Sequence, residues 1–504
     1  MTGSPVEQVE VRAGAYHDSV RLMQVSRDVA AVPGVLAAQV AMGTELNLDV
    51  LATAGFTVPG GVGPNDLLVA LRAGDAAGLA AALAAAEAAL APQPRPAGGS
   101  GPVQEEPPRT VGAAARTGGT LALVSVPGEH AFVEAMDALE AGLDVMLFSD
   151  NVPVAQEVRL KDEASARGLL VMGPDCGTAV VSGVGLGFAN VVRPGPVGVV
   201  AASGTGAQQL LCLLDAAGIG VSHCLGVGGR DLSAEVGGRS TRQALALLDA
   251  DPATELIVVV SKPPAAGVRD ELAAFAAGLS TPVQLTLLGP GEPDLTAAAR
   301  AAVLAAGGRW QEPRSWPAPA PGGPARGGQV LLGAFAGGTL ADEAMLLASE
   351  VLGPIPSNIP LDGAPPLDRD LRPPPGGHAL VDFGDDELTR GTPHPMIDGG
   401  LRTRWIAARA RETSTGPAAV LLLDVVLGHG AHPDPAAELA PALRAAIADA
   451  GPGRLSVVVS LCGSSGDPQG LDRQAAALHA AGASVHLSNA AAARAALELM
   501  EVPR

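Results

Sequence analysis

Apolar residues come in short, nearly unbroken runs separated by stretches with helical spacing. Between 116 and 310 the runs are TLALVSVP (120–127), VMLFSD (145–150), LLVMG (169–173), VGVVAAS (197–203), SHCLGVGG (222–229), LIVVVSK (256–262) and VQLTLLG (283–289). Strands this apolar, alternating with Ala/Leu/Glu-rich helices, predict parallel sheets covered on both faces. Ligands of such folds sit outside the carboxyl ends of the strands. The stretch near 180–196, VSGVGLGFANVVRPGP, has no helical period, and a boundary between two sheets is expected there. Between 329 and 504 the pattern repeats as QVLLGAF, HALVDFG, AAVLLLDVVLG, LSVVVSLCG and ASVHLS, which reads as a duplicated module. At the N-terminus VEQVEVRAG alternates like a strand, HDSVRLMQVSRDVAAV has helical spacing, AAQVAMG is again strand-like, and 65–91 reads as one long Ala/Leu helix.

Two segments dense in Pro, Gly and charge resist packing and read as linkers, 92–115 and 311–328. The expected organisation is therefore a small α/β domain at 1–91, a Rossmann-like domain at 116–194, a larger α/β domain at 195–310 and a second such domain at 329–504. The fold class is α/β, with several flavodoxin- or Rossmann-like parallel-sheet modules.

Composition removes several functions. The net charge of −20 repels a polyanion, and aromatics at 2% leave little for base stacking, so no nucleic-acid partner is expected. No apolar stretch reaches the ~20 residues of a membrane span. The start, MTGSPVEQVEVR, lacks a basic region followed by an apolar run, so no signal peptide is expected and the location expected is cytoplasmic. Cys176, Cys212, Cys224 and Cys462 are scattered, as reduced buried thiols would be. Cys176 in MGPDCGTAVV is a nucleophile only if a base activates it, and none can be assigned.

The candidate chemistry lies at strand ends. VGVVAASGTGAQQLLCLLDAAG (197–218) runs from an apolar strand through Ser203, Gly204, Thr205 and Gly206 straight into a helix. Unpaired amides and the positive dipole end there suit an anion, with Ser203 and Thr205 adding hydroxyls. An ordinary N-cap is the alternative. A second glycine loop contains Gly228, Gly229 and Arg230, and Arg230 suits bidentate binding of phosphate or carboxylate, or else pairs with Asp231. Asp424, Gly428, His429, Gly430, His432 and Asp434 bunch after another apolar strand. Their spacing matches no zinc signature, so capping and turning are the alternative and no metal is expected. His394, between two prolines, suggests a loop held in one shape.

GPDCGTAVVSGVGLGFANVVRPG, VAASGTG, LGVGGRDLS, TPHPMID and LLLDVVLG, together with YHDSVRLMQVSRDVA and AMGTELN, resemble the FdrA family over nearly the whole chain, and more distantly the succinyl-CoA synthetase α subunit. The resemblance implies modules of the succinyl-CoA synthetase type. It implies phosphate binding at Ser203, Gly204, Thr205 and Gly206, beside Gly228 and Gly229. It places an opposed β-type junction at Asp424, Gly428 and Gly430. Arg230, His394 and His429 are the catalytic candidates. Members of the FdrA family act with companion subunits in allantoin (purine) catabolism as oxamate carbamoyltransferases, in which oxalurate plus phosphate gives oxamate plus carbamoyl phosphate. Phosphate or carbamoyl phosphate is thus the expected small-molecule substrate, with companion subunits or a homo-oligomer as partners. The alternatives are a succinate–CoA ligase-like acyl-CoA synthetase subunit and a metabolite-binding scaffold. The ligases' Gly-Glu-Ile-Gly-Gly stretch is replaced by Ser261-Lys262-Pro263-Pro264. Leu288-Gly289-Pro290-Gly291 stands where their phosphorylated histidine loop lies, and no histidine occurs between His223 and His378. The glycine loop that grips CoA is absent before TLALVSVP, and the N-terminal domain at 1–91 is short for an ATP-grasp domain of roughly 200 residues. Neither CoA nor ATP is therefore carried over.

Overall fold

The computed structural model describes residues 5–15, 17, 19–91, 108–318, 328–390 and 392–501. The chain divides into two compact units, one of Met1–Thr110 with Glu387–Pro393 and one of Val111–Asp386 with His394–Arg504. The linker readings of 92–107 and 319–327 lie outside the described residues.

The first unit has a three-stranded antiparallel sheet in the order Val6–Arg12, Leu67–Ala73, Val35–Met42. The expected long helix over 65–91 is a strand followed by a helix, Ala76–Leu90. LLVALRA is made of good helix formers, but it takes the central position of the sheet and buries Leu67, Leu68, Val69, Ala70 and Leu71 completely. Tertiary burial overrides local propensity here. Asp75 then starts the helix by accepting from Gly78 N at 2.8 Å.

Among the described residues the second unit holds three sheets. A three-stranded parallel sheet comprises Leu121–Val124, Asp144–Leu147 and Val171–Met172. A six-stranded sheet runs Val283–Leu287, Leu256–Ser261, Pro194–Ala202, Val221–Gly226, Thr178–Val181, Val184–Gly187. Its last two strands form an antiparallel hairpin, so the stretch near 180–196 joins this sheet instead of separating two. The other six-stranded sheet runs Ser315–Trp316, Ser484–His486, Leu455–Cys462, Ala419–Val426, Val330–Phe335, Ala379–Asp382. Ser315–Trp316 pairs antiparallel with Ser484–His486, so the described start of the second linker is an edge strand. Val111–Ala115, from the first linker, is a short helix.

The parallel strands of both large sheets share one winding. The first strand of each module, Pro194–Ala202 or Val330–Phe335, lies between its second and third strands. That is the doubly wound, flavodoxin-like order, and the first strand marks the switch point where a crevice opens. The two modules share a core in which Leu210, Leu211 and Val260 of one cluster with Phe335, Leu340 and Met345 of the other. Helix Gly204–Ala216 is buried from Thr205 to Asp215. Its Gln209 is satisfied across the modules: Nε2 donates to Leu487 O at 3.1 Å, and Asn489 N donates to Gln209 Oε1 at 3.2 Å.

Candidate active site

The two switch points meet. Strand Pro194–Ala202 passes through Ser203 into helix Gly204–Ala216, and strand Val330–Phe335 passes through Ala336-Gly337 into helix Gly338–Leu352. Ser203 caps its own helix by accepting from Gly206 N at 3.0 Å, and its hydroxyl donates to Thr339 Oγ1 at 2.7 Å. A Cβ on Gly337 would lie 2.6 Å from Thr205 Cγ2, and one on Gly206 would lie 3.1 Å from Thr339 Cγ2. Only glycine at both positions lets the helix starts approach this closely. Gly204 is exposed and Gly338 half-buried, so the paired N-termini reach solvent there. No side chain caps the second helix.

The Ser203 proton is therefore committed to Thr339, and Ser203 and Thr205 are 5% and 7% exposed. The first-turn amides of these junctions are those of Gly204 and Thr205 on one side and Gly338 and Thr339 on the other. First-turn amides have no intrahelical acceptor and carry the positive dipole end.

Three charged side chains line the second junction. Lys262, just past strand Leu256–Ser261, places Nζ 3.2 Å from Asp342 Oδ2. A Cβ on Gly338 would lie 3.2 Å from Lys262 Nζ and 2.7 Å from Asp382 Oδ2. Burial works against the charge of Lys262, but Asp342 and Asp382 outweigh it and hold its pKa above the ordinary lysine value. Burial pushes Asp382 up to about 7, against the Gly384 amide and Lys262. Asp175 keeps solvent contact in its turn, yet desolvation, reinforced by Asp386 and Asp150 and opposed by Lys262 and Arg230, also pushes it up to about 7. A buried carboxyl with a raised pKa beside a cation makes this junction the candidate site.

The remaining sequence candidates fall elsewhere. Asp424, expected to cradle phosphate, is itself the anion: its carboxylate accepts from Ala336 N at 2.7 Å and Gly337 N at 2.9 Å, and Arg402 Nη1 lies 3.0 Å away. The junction opposed to Ser203 is thus Ala336–Thr339, and not Asp424, Gly428 and Gly430. Gly428 and Gly430 pack against the 187–190 segment, where a Cβ would lie 2.7 Å from Ala189 O and 3.1 Å from Phe188 Cδ1 respectively. Gly228, at φ +89°, lies against Pro174 O with no room for a Cβ, so its loop is shaped by packing, whereas Gly229 is exposed. Arg230 does not pair with Asp231. It donates to Val152 O at 2.8 Å and lies 2.9 Å from Glu157 Oε2. Asp231 instead receives Lys161 Nζ at 2.7 Å.

His394 accepts from Met396 N at Nδ1, 3.2 Å away, and its ring lies 5.8 Å from that of Phe188. Burial, helped by the Arg402 charge, lowers its pKa to about 4, so the ring is neutral at pH 7. His429 is exposed, and its amide donates to Ala189 O at 2.8 Å. His432 and Asp434 turn and cap: Asp434 N donates to His432 Nδ1 at 2.9 Å, and Asp434 starts helix Pro435–Ala450. Burial pushes the Cys176 thiol up to about 12, which removes it as a thiolate nucleophile.

The sequence reading missed Lys262, Gly337, Gly338, Thr339, Asp342 and Asp382. One signal was available: VLLGAFAGGTLADEAMLL repeats the small-residue strand-to-helix turn of VGVVAASGTGAQQLL.

This chain is 35% identical over 503 residues to YahF of Escherichia coli (strain K12), covering 94% of this chain and 95% of that protein. It belongs to the YahF family. A CoA-ligase family model matches residues 334–499. Residues that span 32% of the chain are 29% identical to the α2 subunit of an ADP-forming succinate–CoA ligase from Archaeoglobus fulgidus, 56% of which is covered. The α subunit of malate–CoA ligase from Methylorubrum extorquens is 29% identical over 29% of this chain and 51% of that one. Within the YahF family this chain is therefore succinyl-CoA synthetase-like.

Residues 1–107 match a further model, AllF, heavy metal-associated domain. That segment contains no cysteine and a single histidine, His17. Soft heavy metals select thiolates, so these residues do not fit such an ion. Among the described residues no group of three or more His, Cys, Asp or Glu gathers as a metal site, and no helix is long and apolar enough to cross a membrane.

Proposed function

We propose that this chain is an acid–thiol ligase-type enzyme subunit, and that its facing helix N-termini hold the phosphoryl group of an acyl phosphate, or inorganic phosphate in the reverse direction. The observation that carries this reading is the Ser203–Thr339 contact, with Lys262 Nζ beside Gly338. The amides of two helix starts and one fixed ammonium give a dianion several charge-assisted donors without a metal ligand set. As charge moves onto the phosphoryl oxygens at the transition state, these preorganised groups stabilise it. Coenzyme A is the acyl acceptor implied by the ligase relatives, and no residue is assigned to it. Companion subunits supply what this chain lacks.

Carbamoyl transfer between phosphate and oxamate is the second reading. One feature favours it: Leu288-Gly289-Pro290-Gly291, after strand Val283–Leu287, contains no histidine to carry a phosphoryl group, which suits direct transfer.

The test uses the full chain with its companion subunits. One arm supplies acetyl or succinyl phosphate with coenzyme A and measures thioester. The other supplies carbamoyl phosphate with oxamate and follows oxalurate by NMR. Thioester only in the first arm supports the ligase reading, and oxalurate in the second replaces it with carbamoyl transfer. Turnover in either arm must fall at least tenfold in Lys262→Met, and full activity in that variant overturns the phosphate site.

A further inference from the structure

We propose that Asp382 is the general acid–base of the phosphate site, with Oδ2 carrying the proton between phosphate and the leaving atom of the acyl group. This rests on the phosphate reading above. Asp382 ends strand Ala379–Asp382, beside the switch-point strand of its module, and is 5% exposed. Its backbone is clamped at both ends by Asn358, which accepts from Asp382 N at 2.9 Å and donates to Asp382 O at 2.8 Å. Oδ1 accepts from Gly384 N at 2.9 Å. Oδ2 points to the start of helix Gly338–Leu352, at the same point Lys262 Nζ approaches.

The other buried carboxylates around this helix are already engaged. Asp424 is saturated by Ala336 N, Gly337 N and Arg402. Asp342 faces Lys262. Glu343 accepts from Leu295 N and from Asn489 Nδ2. Asp382 alone among these four combines one anchored oxygen with one directed at the junction.

The charged groups facing Asp382 are Lys262, Asp342 and Asp424. His394 abuts Gly384 on the next loop, and Nε2 lies 2.8 Å from where a Gly384 Cβ would stand. His394 is neutral at pH 7 and does not titrate with Asp382. Burial places Asp382 near neutrality, where protonated and ionised forms are both populated.

In the phosphate-consuming direction, an oxygen of hydrogen phosphate bonds to the acyl carbon. The bond from that carbon to the leaving sulfur or nitrogen breaks, and its electron pair stays on the leaving atom. Asp382 Oδ2 accepts the phosphate proton and passes it to that atom. Acyl phosphate and a protonated leaving group result, and Asp382 returns to its starting form.

The experiment compares Asp382→Asn with the native chain, both with companion subunits. Calorimetry with inorganic phosphate comes first: native protein that binds none sinks the phosphate site itself. Given binding, the variant must still bind phosphate while kcat falls about 100-fold or more, as loss of a general acid–base predicts. The limb near neutrality in the pH profile of kcat/KM must vanish in the variant and return in Asp382→Glu. A variant that binds phosphate and keeps both kcat and that limb overturns the role of Asp382. As a readout independent of turnover, infrared difference spectra across neutral pH must lose one carboxyl band in Asp382→Asn, and an unchanged set of bands also overturns it.

Discussion

Ser203 and Thr339 stand at the starts of two different helices, and the hydroxyl of one donates to the other over 2.7 Å. One buried hydrogen bond thus fixes the separation of the two switch points. Ser203→Ala removes both an N-cap and this bond. The expected loss is about 1 kcal/mol for the cap and roughly 1–2 kcal/mol more for the stranded partner. Thr339→Val keeps the shape and loses only the bond. Urea unfolding of the two single variants and the double should give a coupling of at least about 0.5 kcal/mol. Strict additivity would mean that the hydroxyls do not meet.

Gly337 has an unstrained φ of −114°, so only space forbids a side chain there. A Cβ would lie 2.6–2.8 Å from Thr205 side-chain atoms. Gly337→Ala should therefore cost about 1–3 kcal/mol by overpacking and push the helix starts apart. The stabilisation of the native chain by millimolar phosphate in thermal melts should shrink in the variant. A variant that melts at the native temperature with the full phosphate effect would contradict the contact.

Lys161 is fully buried between Glu157 and Asp231, at 2.7 Å from each, and also donates to Val227 O. Removing the cation leaves buried Asp231 with hydrogen bonds from Ser240 N, Thr241 N and Thr241 Oγ1 but no cation, and leaves buried Glu157 with Arg230 alone. Lys161→Met should cost about 3–5 kcal/mol. The triple variant Glu157→Gln, Lys161→Met, Asp231→Asn should recover much of that. Calorimetric melts of the three proteins check the order. A single variant as stable as the native chain would mean that water reaches the triad.

The parallel sheets were legible because strands such as Leu256–Ser261 and Ala419–Val426 are apolar at nearly every position, as burial on both faces demands. Strand Leu67–Ala73 was not, since its residues favour a helix and only its place between two other strands decides the matter. The first helix start was recognised at Ser203. Its counterpart was assigned to Asp424, because a carboxylate at a strand end reads the same whether it faces a ligand or caps backbone amides. Lys262 and Asp382 come from strands of different modules, and only the packing of the two switch points brings them to Gly338. No local spacing encodes that meeting.

Glu343 carries the clearest pH signature of the shared core. It is 1% exposed, accepts from Leu295 N and Asn489 Nδ2, and is pushed by burial from the ordinary 4.5 up to about 7. Asp294 adds to the rise, and the two hydrogen bonds and Arg494 oppose it. Between those two pH values the folded chain holds a proton that the unfolded chain has released. Stability from this group is therefore complete below about 4.5, falls as pH rises and levels off above about 7. The slope in that window is at most about 1.4 kcal/mol per pH unit. Glu343→Gln keeps the shape and removes the titration. Asp175 and Asp382 titrate over the same range in both proteins, so the difference between native and variant isolates Glu343. Urea midpoints at about pH 5 and about pH 7 should converge in the variant relative to the native chain. Parallel profiles would show that Glu343 ionises as freely in the folded chain as in the unfolded one.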